Sequence, residues 1–271
     1  MNIITTNGDF FKNIILCIKD FTDLVNIEYN EDGLIINTTD NMHTSMLYLK
    51  INKILFDKKY DIKKSGVFGI NLNKFNDVLK TSSKNCIIEL IKKEDDEDIN
   101  IKLINDNKKI NFKLKLLNII SDNYNSMNIN YNYQIKMSSE EFEKTIKKVS
   151  SFGSDCYIYT DQENIYIDVS GDIGYGSFSI NDIVHEIDYK NEENKNKYSL
   201  SYLLKICKSS KISENIIINL NKNLPLKVTF NHEYANITYY LAPKVDDDDN
   251  DENNTNDENN IEENNIDSDI E

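Results

Sequence analysis

"FFKNIILCIKDFTDLVNIEYNEDGLIINTTDN", residues 10 to 41, holds the pattern that decides the fold, because a second copy of it stands 131 positions later. Laid over "FEKTIKKVSSFGSDCYIYTDQENIYIDVSGD", which begins at Phe142, it sets Phe11 on Phe142, Ile18 on Val149, Phe21 on Phe152 and Ile27 on Ile158. Leu34 and Ile36 then fall on Ile165 and Ile167. A shift of 128 lays "NLNKFNDVLK" over "SLSYLLKICK", with Leu72 on Leu200, Val78 on Ile206 and Lys80 on Lys208. The chain is therefore a duplicated unit of about 130 residues followed by an extension.

Inside the unit the apolar period changes. Phe11, Ile14, Ile15, Ile18 and Phe21 recur at helical spacing, after which "NIEYNEDGLIIN" alternates as strands do around a turn at Glu31-Asp32-Gly33. Ile165, Ile167 and Val169 alternate in the second copy. Each half reads as helix, hairpin, further strands, second helix, more strands, which predicts an α+β protein with helices on one face of antiparallel sheets. Residues 113 to 137 keep neither period and offer only isolated apolar side chains such as Tyr124, Met127 and Ile129. The organisation read from this is a first domain over 1–116, a connector over 117–133, a second domain over 134–245 and a disordered acidic tail over 246–271. The tail is Asp, Glu and Asn with isolated Ile, too little apolar surface to offset the entropy of ordering it.

The formal charge of −15 is unevenly spread: the tail holds 13 of the 46 acids, which leaves 33 against 31 lysines, a net of −2 for the rest. No apolar run of about 18 residues exists, and the N-terminus lacks the features of a signal peptide, so no membrane association and a reducing compartment are expected. Cys17, Cys86, Cys156 and Cys207 lie far apart in apolar contexts without CxxC spacing, and read as buried reduced thiols. His43, His185 and His232 are equally scattered, so no metal site is expected. Nucleophile, phosphate-loop and zinc-protease motifs are absent, and no cofactor is expected. The carboxylate clusters "KKEDDEDIN" (92–100) and "DVSGDIG" (168–174) could hold Mg²⁺ in principle, but such turns are usually just solvated.

Lysines are placed by element. On the helix beginning near Glu140, Lys144, Lys147 and Lys148 oppose the apolar face of Phe142, Ile146 and Val149. Lys205 and Lys208 oppose Leu200, Leu203 and Cys207. Lys12 and Lys19 share a side of the first helix, and Lys80 and Lys84 close the remaining one. A single such stripe is ordinarily a solvated face; its recurrence on all four helices of a nearly neutral body favours a track for a polyanion.

"YYLAPKV" (239–245), following "LPLKVTF" (224–230), resembles the C-terminal end of the proliferating cell nuclear antigen family of DNA sliding clamps. "GDFFKNIILCIKDF" and "FGINLNKFNDVLK" are similar to that family's first two helices, "TDNMHTSMLYL" to a strand region between them, "IKMSSEEF" to the start of its second domain and "VSGDIGYGSFSI" to a strand pair there. The resemblance spans residues 1 to 245. It implies a clamp fold of two similar domains, with three chains closing a homotrimeric ring whose helices line the hole and whose sheets face outward. It further implies a processivity factor without catalysis, encircling double-stranded DNA at Lys12, Lys19, Lys80, Lys144, Lys147 and Lys208. Asn13, Asp77 and Ser201 stand where the family commonly carries a base.

Ring closure would pair edge segments near Lys109–Lys115 and Gly176–Ile183. DNA polymerase and other partners would bind through peptides of the form Qxx[ILM]xx followed by two aromatics, in a pocket of His43, Met46, Pro225, Tyr240, Leu241, Ala242 and Pro243, with Tyr124 and Met127 from the connector. A clamp loader is the further partner implied, and a nucleus or a viral replication site the place of work. The family's ubiquitin-acceptor lysine falls on Gln162. The alternative is a clamp-fold scaffold in transcription or checkpoint signalling that does not encircle DNA.

Overall fold

A computed structural model describes residues 1–105, 108–120, 129–161, 164–172, 174–180 and 194–245, with the backbone alone at 183–185. The N-terminal copy runs β1 (Asn2–Thr5), α1 (Gly8–Ile18), β2 (Leu24–Asn30), β3 (Gly33–Thr39), β4 (Ser45–Asn52), β5 (Lys59–Asp61), β6 (Gly66–Asn71), α2 (Leu72–Lys80), β7 (Ile87–Ile91), β8 (Asp98–Asn105) and β9 (Lys108–Lys115). The C-terminal copy repeats that order as β10 (Tyr133–Ser138), α3 (Ser139–Val149), β11 (Asp155–Thr160), β12 (Ile165–Gly171), β13 (Gly174–Ile180), β14 (Ile183–His185), β15 (Asn196–Ser199), α4 (Leu200–Cys207), β16 (Asn215–Leu220), β17 (Leu226–Asn231) and β18 (Ala235–Leu241). α1 and α3 begin 131 residues apart and α2 and α4 begin 128 apart, the two shifts read from the sequence.

Each copy builds two antiparallel sheets. In the first the strand orders are β5-β1-β7-β8-β9 and β6-β2-β3-β4; in the second, β14-β10-β16-β17-β18 and β15-β11-β12-β13. β18 pairs with β4 from Ala235 opposite Ile51 to Leu241 opposite Ser45, and so joins one sheet of each copy into a nine-stranded sheet. β9 and β13 occupy the positions equivalent to β18 and β4, and each stands at a sheet edge among the described residues.

The helices follow from local chemistry. Phe11, Ile14, Ile15 and Ile18 bury one side of α1, as Phe142, Ile146 and Val149 do on α3. Ser138 caps α3 by accepting the Glu141 N–H at 3.4 Å, with Glu140 and Glu141 at the positive end of the helix dipole and Lys147 and Lys148 at the negative end. Asn71 caps α2 through Lys74 N–H at 2.9 Å. The helix ends at Lys80, with Thr81 as its C-cap, so Lys84 lies in the following turn and not on the helix as expected. Gly33 ends the first hairpin turn at φ 156°, and a Cβ there would stand 2.0 Å from the Ile51 carbonyl oxygen, which excludes other residues.

The four cysteines are buried and unpaired. Burial pushes the Cys17 thiol up to about 11 and Cys156 to about 12, so neither is a reactive thiolate. The turn within 92–100 is organised by a cation of its own. Lys92, buried, donates its ammonium to the carbonyls of Lys93 at 2.7 Å, Asp96 at 3.1 Å and Glu94 at 3.2 Å. Asp168 is likewise occupied, by Ser177 at 2.6 Å and Lys195 at 3.5 Å. No group of three or more metal-ligating side chains occurs among the described residues.

Candidate functional site

Two surfaces gather the residues singled out in the sequence. The first is the helical face. The two copies meet on this face where Cys17 Sγ, on α1, donates to the carbonyl oxygen of Lys208, just after α4, at 3.0 Å. Tyr239 of β18 points to that side, its hydroxyl within 2.8 Å of Ser209 just after α4.

Each of the six lysines assigned to the track has a carboxylate neighbour. Lys12 is 2.6 Å from Asp9, Lys19 2.5 Å from Asp20, Lys144 2.7 Å from Glu140 and Lys80 3.9 Å from Asp77. Lys147 pairs with Glu143. Lys208, from the second copy, pairs with Asp20 of the first. Burial works to raise the Asp20 carboxyl, but Lys19 and Lys208 outweigh it and hold it below the ordinary carboxylate value. Such pairs at a wet surface contribute little each, so a phosphate can compete for the lysine. Lys12 and Lys19 are the most covered, with side chains 20% and 19% exposed. Lys84, Lys148 and Lys211 are exposed and make no ion pair within 4 Å of a carboxylate among the described residues, although Lys84 and Lys211 act at longer range on Asp9 and Glu143; Lys211 lies in the 3-10 turn Lys208–Lys211 and has no helical period to announce it.

The second surface is the opposite face of the β4–β18 joint. Strand alternation sends Tyr239 toward the helices and Tyr240 away from them, beside its cross-strand partners Met46 and Lys227. The Lys227 ammonium stands 5.9 Å from the Tyr240 ring centroid. Pro225 borders this face and its carbonyl accepts the Tyr131 hydroxyl at 2.9 Å. Ala242 N–H bonds the Thr44 carbonyl at 3.0 Å and leads into Pro243, and His43 projects from the turn before β4 with its Nδ1 3.2 Å from Thr39 Oγ1. Leu241 alternates back to the helix side and is fully buried in the core, so it offers this face only backbone. Tyr124, Met127 and Gln162 lie outside the described residues. Tyr131 and Lys227 have no signal in the sequence: strand register reveals Lys227 and the bond to Pro225 reveals Tyr131.

The turn bearing His43 is built on Asp40. Its Oδ1 accepts Ser45 N–H at 2.6 Å and its Oδ2 accepts Met42 N–H at 3.0 Å and the Tyr202 hydroxyl of α4 at 2.6 Å. Burial would raise the Asp40 carboxyl, yet these bonds outweigh it and hold the group below its ordinary value.

The ends of the connector are tied down on different domains. Leu117 N–H bonds the Gly69 carbonyl at 2.9 Å and Asn26 donates to Ile119 O at 3.0 Å; at the far end Asn132 N–H reaches Asn221 Oδ1 at 2.6 Å. In the second copy Lys244 N–H bonds the Lys197 carbonyl at 2.8 Å, at the place equivalent to Leu117 and Gly69.

Family models for the proliferating cell nuclear antigen N-terminal and C-terminal domains match residues 2–126 and 126–245. The chain is 25% identical over 253 residues to "Probable DNA polymerase sliding clamp 2" of Paramecium bursaria Chlorella virus 1, covering 92% of this chain and 93% of that one. It is 28% identical over 255 residues to proliferating cell nuclear antigen of Saccharomyces cerevisiae, covering 89% and 97%. The crystal structure of the corresponding protein of Entamoeba histolytica superposes with a TM-score of 0.83 at 23% identity, over 90% of this chain and 98% of that one.

Proposed function

Because the chain belongs to the proliferating cell nuclear antigen family, with both domain models matched, we propose that it works as a DNA sliding clamp: a homotrimeric ring that encircles duplex DNA and tethers DNA polymerase, without a catalytic step of its own. The observation that carries this reading is the repetition of one joint. Within the chain, β18 of one unit pairs with β4 of the other. β9 and β13 are their counterparts and stand at sheet edges, so the same pairing is available between chains, and it would cover edges that are otherwise exposed.

The register of that pairing can be worked out. Ile99 faces Leu114 as Leu226 faces Leu241, and Ile167 faces Phe178 as Ile36 faces Leu49. Carrying the Ile237–Leu49 pair across these equivalences sets Ile110 against Phe178 of the partner subunit, and the Tyr239–Leu47 pair sets Phe112 against the partner's Gly176. Ile110, Phe112 and Leu114 are half-buried along β9 between exposed neighbours, as a row awaiting cover would be.

The lysines fit sequence-independent contact with phosphates, which suits sliding because contacts reform at every step. Partners would dock their peptide motifs on the Met46–Tyr240 face, and a clamp loader would open the ring; the place of work would be the nucleus or a viral replication site. One observation favours the second reading, a scaffold that does not encircle DNA: every lysine assigned to the track already pairs with a carboxylate. Light scattering decides between them first. A mass three times the 31.5 kDa chain supports the ring, and a monomer at micromolar concentration removes it. Loading onto circular DNA with loss on linearisation tests encirclement itself.

A further inference from the structure

Asp40 and Tyr202 belong to different copies of the unit, yet they share a bond of 2.6 Å. Asp40 is 5% exposed and closes the turn between β3 and β4 on itself: its N–H bonds the Ser45 carbonyl at 3.0 Å, and its own carbonyl accepts His43 N–H at 3.0 Å. His43 sits at φ 53°, a left-handed conformation uncommon for residues other than glycine, though histidine takes it more readily than most. Met42 beside it is 79% exposed. The turn thus presents two side chains at the margin of the Met46–Tyr240 face on a frame made by one buried carboxylate. Tyr202 is the only side-chain donor to that carboxylate among the described residues, the others being backbone N–H groups of the turn itself.

We propose that Tyr202 is a positioning residue for partner-peptide binding: its hydroxyl anchors the Asp40 carboxylate to α4 and thereby fixes how Met42 and His43 are offered to the peptide. The inference rests on the reading of the Met46–Tyr240 face as the partner surface. A turn closed only by its own N–H groups can rock as a unit. The bond to α4 removes that freedom, because α4 is anchored by Leu200, Leu203, Ile206 and Cys207 in the core. The hydroxyl is itself pushed up, by burial first and then by Asp40, so it remains a donor throughout the physiological range. The Lys205 ammonium, 5.1 Å from the Tyr202 ring centroid, touches the same side chain without touching the bond, and so provides a control.

The test uses the full chain and a peptide of sequence form Gln-x-x-Met-x-x-Phe-Phe. In Tyr202→Phe, which removes the bond to Asp40 and the lesser Thr44 contact to the same hydroxyl, hydrogen exchange over residues 41–45 should quicken at least about tenfold, the lower weight of a hydrogen bond to a charged group. Peptide affinity should fall about five- to tenfold, while solution mass and the exchange of the rest of β4, from Met46 to Asn52, and of β18 stay unchanged. Lys205→Ala should alter neither exchange in the turn nor affinity. Unaltered affinity in Tyr202→Phe, with wild-type binding intact, overturns the inference and leaves the partner surface standing. Equal losses in Lys205→Ala also overturn it, since general loosening of α4 would then be the cause. Failure of the wild-type chain to bind overturns the surface reading itself.

Discussion

Phe112→Ala tests the proposed joint where its register is most specific. Phe112 lies on β9, half-buried against its own core, and in the proposed register the remainder of its ring passes over the partner's Gly176, a position without a side chain to obstruct it. Full burial of a phenylalanine contributes at most about 3 kcal/mol by area, so the half left for the interface is worth about 1–1.5 kcal/mol per joint. Three joints close a ring, which puts the loss at about 3–4.5 kcal/mol for the trimer, or roughly 10²- to 10³-fold in the three-body equilibrium constant. The concentration at which half the chains are assembled goes as the square root of that constant, so it should rise about 10- to 40-fold. Sedimentation across a dilution series reads this directly. Asn111→Ala, an exposed neighbour on the other face of the strand, should leave the midpoint in place. A midpoint unmoved by Phe112→Ala, with the protein otherwise trimeric, would refute the register and the argument from the repeated joint.

Four other outcomes are expected. Replacing Lys144, Lys147 and Lys208 with Glu should abolish stimulation of a polymerase without changing solution mass, whereas Asp20→Asn, which frees Lys19 and Lys208, should tighten DNA binding at low salt; each phosphate that is no longer neutralised lowers the salt slope by about 0.9. His43→Glu with Pro243→Ala should weaken the glutamine-to-diaromatic peptide in calorimetry, and equal affinity would move the partner site elsewhere. Asp40 is depressed in the folded chain, so its contribution is fully present above an unfolded carboxylate value of about 4 and is lost as pH falls below that; in a His43→Gln background, which removes the histidine of the same turn, peptide binding should be flat from pH 7 to 5 and decline beneath 4, and a decline centred near 6 in that background would contradict it. Deleting residues 246–271 removes 13 acids per chain and should raise low-salt binding to circular DNA without a loader, while leaving mass and peptide affinity as they were; identical binding across a salt series would reject repulsion by the tail.

The duplication was legible because burial constrains it: Phe11 and Phe142, or Ile27 and Ile158, must both reach a core, and each does. Phase was harder. "YYL" is apolar throughout, and only the sheet shows that Tyr239 and Leu241 turn to the helices and Tyr240 away, which withdraws Leu241 from the proposed partner face. The lysine stripes are visible in the sequence, but their neutralisation is only partly so. Lys144–Glu140 and Lys147–Glu143 are i,i+4 pairs that spacing alone announces, whereas Lys208–Asp20 joins residues 188 apart and needs the fold. Lys84 was misplaced because a lysine four residues after Lys80 looks helical until the chain is seen to leave α2 at Thr81. The Asp40–Tyr202 bond had no signal at all, since nothing in the segments that hold the two residues relates one to the other and 162 positions separate them.

One joint made twice lives under two different laws. Between β4 and β18 it is intramolecular: the connecting chain holds the strands at an effective concentration of the order of millimolar, and dilution cannot part them. Between β9 and β13 of separate chains the same chemistry would obey mass action. A gap wide enough for duplex would therefore open between subunits rather than within one. Leu47, Leu49 and Tyr239 answer to the stability of the fold, while in the proposed ring the exposed halves of Ile110, Phe112 and Phe178 would answer to how long it stays shut. In the proposed ring, substitutions that trim only the exposed halves of the β9 and β13 side chains would set the residence time on DNA, while those that reach the halves packed on the core would also cost the subunit stability.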